Sequence, residues 1–374
     1  MGQFPEGAFW LALTYASGLK LARVKAIVTD WCLEEGQSLA ALFETLSEEM
    51  VSQLDLSVEE KEQILSAAKH VPEQMAWQAR LEGDGIQLIT RTDPRYPPAL
   101  ARGLPLAMQP ILLFCRGNIG VLDRPAAAVI GAQDAGRETV GLARELATLL
   151  AEEGLAVVSG LGKGVGQAAF GAALSAEGGQ AMAVLPMGIN TLPGMPDVAA
   201  EVTAAVEQGR AALLSPFHPE ARFSEAQAIA RNKLIVGLAE AVFVLAAGEE
   251  GVARDTANEA LRLGKAVYVW DMDAAAEPAA SGNQALIQEG ALPIAGTSDT
   301  LEAVEAIVAA ALELTEATDT STPIPPPPAP QVQMEEAETP YDPQTALDLL
   351  SGAGRVPDVL AKRLRGAGVG GGHP

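Results

Sequence analysis

The chain has 374 residues, 48% of them hydrophobic and 20% charged, and a formal net charge of −23. That balance belongs to a folded α/β protein rather than a disordered one. The acidic surplus excludes non-specific adhesion of the whole molecule to DNA or to an anionic membrane, while leaving room for a local basic groove.

Residues 1–80 read as short helices over 9–15, 21–31, 39–46 and 58–68. Gly18 breaks the first two, and Ser38 and Ser57 stand where N-caps belong. This is a small all-helical module of the SAM or helix-hairpin-helix kind. Such a module can grip a DNA backbone or serve only for packing or oligomerisation. Residues 81–125 bridge to the next region, with strands expected at 86–90 and 111–115 around the turn Tyr96-Pro97-Pro98. From 126 the rhythm becomes strand and helix in alternation. Strands are expected at 127–131, 155–159, 181–187, 211–215, 241–246 and 266–270, with helices at 138–153, 167–176, 223–239 and 255–263. Apolar strands alternating with amphipathic helices predict a doubly wound, mainly parallel sheet covered on both faces. Its binding crevice lies at the carboxyl ends of the strands, in loops 131–136, 159–166, 187–196 and 248–254. The domain is expected to span 81–312, bridge included. A disordered Pro-rich linker follows over 313–342, then a short tail over 343–374.

Aromatic residues are scarce at 4%, so the core must be built from Ala, Val and Leu. Cys32 and Cys115 form no C-x-x-C pair, and His70, His218 and His373 show no ligand spacing; neither a disulfide nor a metal site is expected. No basic leader and no long uncharged apolar span is visible, which makes the cytoplasm the expected compartment, with no membrane contact.

The strongest chemical signal is the alternation Gly160, Gly162, Gly164, Gly166 between the run 155–158 and a helix start. Glycines permit unusual φ angles and close approach, and a helix N-terminus adds partial positive charge; together they suit a phosphate. Lys163 within the loop adds a cation. The spacing is not that of a P-loop. Gly164, Gly166 and Ala169 match the dinucleotide pattern formally, but no acid follows at ribose distance. A plain tight turn is the alternative. Gly131 ends the first strand of the alternating region, where a glycine admits a ligand or a neighbouring backbone. Arg231-Asn232-Lys233 forms a second cationic cluster inside a helix. Two residues apart, Arg231 and Lys233 do not share a helix face; a helix end or kink near Asn232 would bring both to a crevice. Glu249-Glu250 before Gly251 could meet a ribose. No G-x-S-x-G elbow, H-E-x-x-H or catalytic triad spacing is present, so no catalytic residue and no cofactor is assigned.

Taken in order, several segments resemble the bacterial DNA-processing protein A family, also called Smf. They are Asp93-Pro94-Arg95-Tyr96-Pro97-Pro98, Pro110-Ile111-Leu112-Leu113-Phe114-Cys115-Arg116-Gly117, Val157-Val158-Ser159-Gly160-Leu161-Gly162-Lys163-Gly164, Arg231-Asn232-Lys233-Leu234-Ile235 and Gly282-Asn283-Gln284-Ala285-Leu286-Ile287. The similarity runs from about residue 8 to about residue 296. It implies an extended Rossmann-like domain that binds single-stranded DNA in a positive pocket, self-associates, and helps load the strand-exchange recombinase during natural transformation, without catalysis. On that resemblance the phosphate-binding set is Gly131, Ser159, Gly160, Gly162, Lys163, Gly164, Arg231, Asn232, Lys233 and Thr256, and the tail is a winged-helix remnant. The chain departs from the family pattern at Ala132-Gln133, where Ser-Arg is usual. It departs again at Gly166, at Phe170, at Pro216 and along Glu249–Asp255. Fewer cations and more acids imply weaker phosphate affinity. A nucleotide sensor, or a nucleoside-phosphate hydrolase on a related scaffold, is the alternative reading; a scaffold that kept self-association and lost its ligand is a third.

Overall fold

A computed structural model describes residues 4–44, 46–194 and 196–319. The linker from 320 onward and the tail expected over 343–374 lie outside the described residues.

The chain opens with six short helices: α1 (Glu6–Leu11), α2 (Leu21–Val28), α3 (Leu39–Glu44), α4 (Glu48–Gln53), α5 (Val58–Ala68) and α6 (Val71–Gly83). Gly18, at φ +77°, supplies the left-handed turn between the first two. Ser57 caps α5 by accepting from the Glu60 N–H while the Glu60 carboxylate accepts from the Ser57 N–H, the reciprocal arrangement that satisfies two otherwise orphaned donors. Ser38 Oγ accepts from Ala41 N at 3.1 Å. The boundary expected at residue 80 falls inside α6, which feeds through Gly85 directly into the first strand.

Nine strands follow: β1 (Ile86–Thr90), β2 (Leu112–Gly117), β3 (Ala126–Ile130), β4 (Ala156–Ser159), β5 (Ala181–Val184), β6 (Ala211–Ser215), β7 (Ala241–Val244), β8 (Ala266–Trp270) and β9 (Leu292–Ile294). They form one sheet in the order β1-β2-β6-β5-β4-β3-β7-β8-β9. β1 and β2 pair antiparallel, as do β2 and β6; every other pairing is parallel. Successive helices are α7 (Pro98–Gly103), α8 (Arg137–Glu152), α9 (Val165–Ser175), α10 (Pro196–Glu207), α11 (Glu225–Leu238), α12 (Val252–Arg262), α13 (Asn283–Gln288) and α14 (Thr297–Asp319). The last continues past residue 312, where the domain was expected to end.

Alternation along the strands sorts the core onto two faces. Ala127, Val129, Val157, Ala183, Leu213 and Phe243 face one way, against α8, α9 and the N-terminal helices. Ala128, Ile130, Val158, Val184, Leu214 and Val244 face the other, against α7, α11, α12 and α13. The small alanines of β3 let helices approach closely, which compensates for the shortage of aromatics. The helical module has no separate core. Phe9, Trp10, Leu42 and Ile64 belong to the same buried cluster as Leu88 and Phe114, and residues 1–320 form one compact unit.

Candidate functional site

From β3 the chain winds outward through β4, β5 and β6 on one side, and β7, β8 and β9 lie on the other. The topological switch therefore falls between β3 and its neighbours, and the loops leaving β3, β4 and β7 must part there. Where they part lies a cavity of about 430 Å³, lined by Gly131, Gln133, Gly160, Gly162, Arg231 and Thr256 among others. A second groove, about 650 Å³, shares Gln133, Gly160, Gly162, Arg231, Gly251 and Val252 with it and extends past Lys163 to Phe223 and Ile229.

The glycine loop is built as its sequence requires. Gly164 sits at φ +72°, and a Cβ there would stand 2.9 Å from the carbonyl oxygens of both Ala132 and Gln133. Leu161 also takes positive φ (57°), held by its buried side chain. Ser159 does not face the cavity freely. Its hydroxyl donates to Gly166 O at 2.8 Å and accepts from Leu161 N at 3.1 Å, tying the loop into its curve. Gly162 has open space where a side chain would stand. At Gly131 a Cβ would collide with the Val165 side chain, so this glycine lets the first turn of α9 pack against β3.

The feature that sets this cavity apart is Arg231. It rises from α11 and is only 8% exposed. Its Nη1 donates to Val184 O at 2.8 Å, while its Nε has no partner at all. A Cβ on Gly160 would overlap the guanidinium, so that glycine exists to admit it. Burial pulls the guanidinium pKa down to about 10. Among the described residues no carboxylate pairs with it. A buried cation without a counter-ion is costly, and its natural complement is an anion in the cavity above.

The other expected residues are arranged less favourably. α11 runs unbroken through Asn232, so Arg231 and Lys233 diverge. Lys233 lines a different cleft, between α11 and α12, with Asp255, Glu259 and Arg262, and it does not line the glycine-loop cavity. Lys163 is exposed and lines the outer groove. Asn232 and Thr256 line both the cavity and the α11–α12 cleft; the Thr256 hydroxyl donates to Val252 O at 2.6 Å within its own helix. Acids intrude as well: Asp134 and Glu250 line the cavity, Glu225 and Asp255 the outer groove. Phe170, on α9, is 1% exposed, packs in the core and does not line the cavity.

Two structural roles were not visible in the sequence, although Asn283 lies in one of the segments that resemble the family. Glu277 accepts from Gly136 N (2.8 Å) and Thr139 Oγ1 (2.6 Å), capping α8 from 138 residues away or more. Burial alone would raise its pKa, but the hydrogen bonds from Thr139, Gly136 and Ala279 outweigh this and hold it below the ordinary carboxylate value. Asn283 is fully buried and binds Ala247 N (2.8 Å), Leu245 O (3.1 Å) and Trp270 O (2.8 Å), fixing the loop after β7. Both act through partners far away in sequence, which no local signal reveals.

Among the described residues no group of three or more His, Cys, Asp or Glu could hold a metal ion, and no helix is long and apolar enough to cross a membrane. Comparison with known proteins adds a lineage. Protein Smf of Escherichia coli (strain K12) is 28% identical over 254 residues, 68% of this chain and 65% of its own length. The putative DNA processing protein DprA of Mycobacterium tuberculosis (strain ATCC 25618 / H37Rv) is 31% identical over 230 residues, 59% of this chain and 58% of its own. The chain thus spans about six tenths of the length of these curated relatives. The X-ray structure of DNA processing protein A from Streptococcus pneumoniae superposes with a TM-score of 0.61 at 22% identity, covering 79% of this chain and 97% of that one. The protein from Helicobacter pylori, whose structure was described for its single-stranded DNA binding mode, gives 0.50 at 21% identity, covering 61% and 96%. These likenesses carry the fold. The sequence profile of the family described as DNA recombination-mediator protein A matches residues 87–305.

Proposed function

We propose, because this chain belongs to the DNA recombination-mediator protein A family, that the cleft above Arg231 binds single-stranded DNA and that the protein is an accessory factor of DNA uptake and recombination rather than a catalyst. In this reading Arg231 and the amides of the glycine loop meet a backbone phosphate, Lys163 meets the next along the outer groove, and Gly162 leaves room for the strand. Phe223, Ile229 and Val252, each more than half exposed, supply apolar surface for bases in that groove. The protein acts in the cytoplasm as a homodimer, shields the incoming strand and helps load the strand-exchange recombinase upon it. The observation that carries the proposal is the buried guanidinium without a counter-ion beneath Gly160.

Fluorescence anisotropy with a labelled oligothymidine, over a salt series, tests it. Binding that weakens linearly on a log–log salt plot, with a slope near −0.7 for each phosphate contacted, is the expected result. No binding at low salt, or binding indifferent to salt, overturns it. A strand-exchange reaction with and without the protein tests the loading step. A second reading has one observation in its favour: the inner cavity is the size of a mononucleotide site and holds Glu250 where a ribose could meet it. A thermal shift with a mononucleotide and none with an oligonucleotide would select that reading.

A further inference from the structure

On the opposite flank of α11 lies a pocket of about 440 Å³ where the N-terminal helices meet the sheet. Two lysines line it, Lys25 from α2 and Lys233 from α11, and no Asp or Glu does. In a chain with a net charge of −23 this is an unusual exclusion; the glycine-loop cavity, its groove and the α11–α12 cleft all contain carboxylates. Neither lysine pairs with a described carboxylate. Lys25 Nζ is anchored by donating to Ala107 O at 3.1 Å. Its pKa is lowered by burial and by the charge of Lys233, so the two ammonium groups repel each other across the pocket. A bound anion would relieve that repulsion.

Apart from the Thr14 hydroxyl, the remaining walls are aromatic or apolar, with Tyr15, Phe217 and His218 among them. His218 stacks on Trp77 with centroids 4.8 Å apart and an 18° tilt, and the Tyr15 ring meets it edge-on at 5.2 Å. These contacts hold the rings in place before any ligand arrives. An anchored Lys25 with Lys233 nearby, beside the held rings of Tyr15 and His218, suits one ligand chemistry: a phosphate joined to a planar base. Tyr15 is itself 38% exposed, leaving a ring surface available.

We infer that this pocket is a second anion site that takes a nucleotide unit, its phosphate between Lys25 and Lys233 and its base against the Tyr15–Phe217–His218 wall. The unit is either one residue of a bound strand or a free mononucleotide. The first form rests on the strand-binding reading above; the second does not. Because Lys233 also lines the α11–α12 cleft, a strand crossing α11 would pass from the Arg231 cavity to this pocket.

The test uses the full chain, the variants Lys25→Gln and Lys25→Arg, and two probes: labelled oligothymidine by anisotropy over a salt series, and thymidine 5′-monophosphate by isothermal titration. If a strand residue occupies the pocket, Lys25→Gln flattens the oligothymidine salt slope by about 0.7 and weakens binding several-fold, and Lys25→Arg restores both. If the occupant is a free nucleotide, the monophosphate binds saturably to the wild type, Lys25→Gln weakens it tenfold or more, and oligothymidine is unaffected. Either result supports the site. Wild-type behaviour of Lys25→Gln toward both probes, or no binding of either probe to any form, overturns it. Lys25-dependent monophosphate binding with no oligothymidine binding would sink the strand-binding proposal while leaving this one standing.

Discussion

Arg231→Met separates a ligand-binding cation from a structural one. At neutral pH the arginine is charged in both the folded and unfolded chain, so a folded pKa pulled down to about 10 represents a burial penalty on the order of 3 kcal/mol at full strength. The Nη1 bond to the Val184 carbonyl offsets roughly 1.5–3 kcal/mol of it, as hydrogen bonds to charged groups do. The side chain is therefore close to neutral for stability. Methionine fills similar volume without a charge and leaves one carbonyl short of a donor, a loss of about 1 kcal/mol. The expected change in unfolding free energy, measured by urea denaturation, is within about 1 kcal/mol of zero in either direction, whereas truncating an ordinary core side chain costs about 2–5 kcal/mol. In the same variant the oligothymidine salt slope should flatten by about 0.7 and affinity should fall. Destabilisation beyond about 2 kcal/mol with unchanged binding would refute the reasoning and make Arg231 a core residue that happens to be charged.

Gly164→Ala should destabilise by on the order of 2 kcal/mol or more, since the residue is held at φ +72° with two carbonyl oxygens 2.9 Å from the new methyl; an unchanged urea midpoint would contradict the loop geometry. Gln133→Arg should do the reverse for binding: Gln133 is exposed and lines both the cavity and the outer groove, so an added guanidinium there should steepen the salt slope by about 0.7 and tighten binding several-fold. Glu277→Gln tests the remote cap of α8. The folded pKa is depressed, so the carboxylate stabilises the fold above its ordinary pKa of about 4.3, and the contribution is lost as pH falls through the lower folded value. The variant should be about 1–2 kcal/mol less stable at pH 7 and indistinguishable from wild type in acid; a pH-independent difference would refute the charge argument.

The buried strands were legible because each is a short apolar run between turn residues, and β1 to β8 all fall within a few residues of expectation. β9 was not: three residues with a central proline and a half-exposed leucine carry no hydrophobic alternation, and only the edge of β8 makes them a strand. α6 was overlooked because charged and amide residues interrupt its apolar ones, and burial of Val71 and Leu81 against the shared core decides it. In the site, the glycine loop was readable from composition alone, because φ > 0 and close approach are properties of glycine itself. The spacing of Arg231 and Lys233 already placed them on different faces, and the uninterrupted α11 leaves that divergence in place. What spacing could not supply was the carbonyl of Val184, 47 positions away, which fixes where the guanidinium rests.

The shared core of the N-terminal helices and the sheet bears on how this protein can be dissected. Trp77 of α6 rests on Phe114 of β2 at 6.3 Å, and Phe114 is completely enclosed. A shortened chain beginning at β1 would bare that ring together with Leu88 and Leu112, along the very strands whose antiparallel pairing closes one margin of the sheet. The first 83 residues are thus a retaining wall: cut them away and the excised fragment should be sticky and insoluble, whatever part those helices play in handling a ligand.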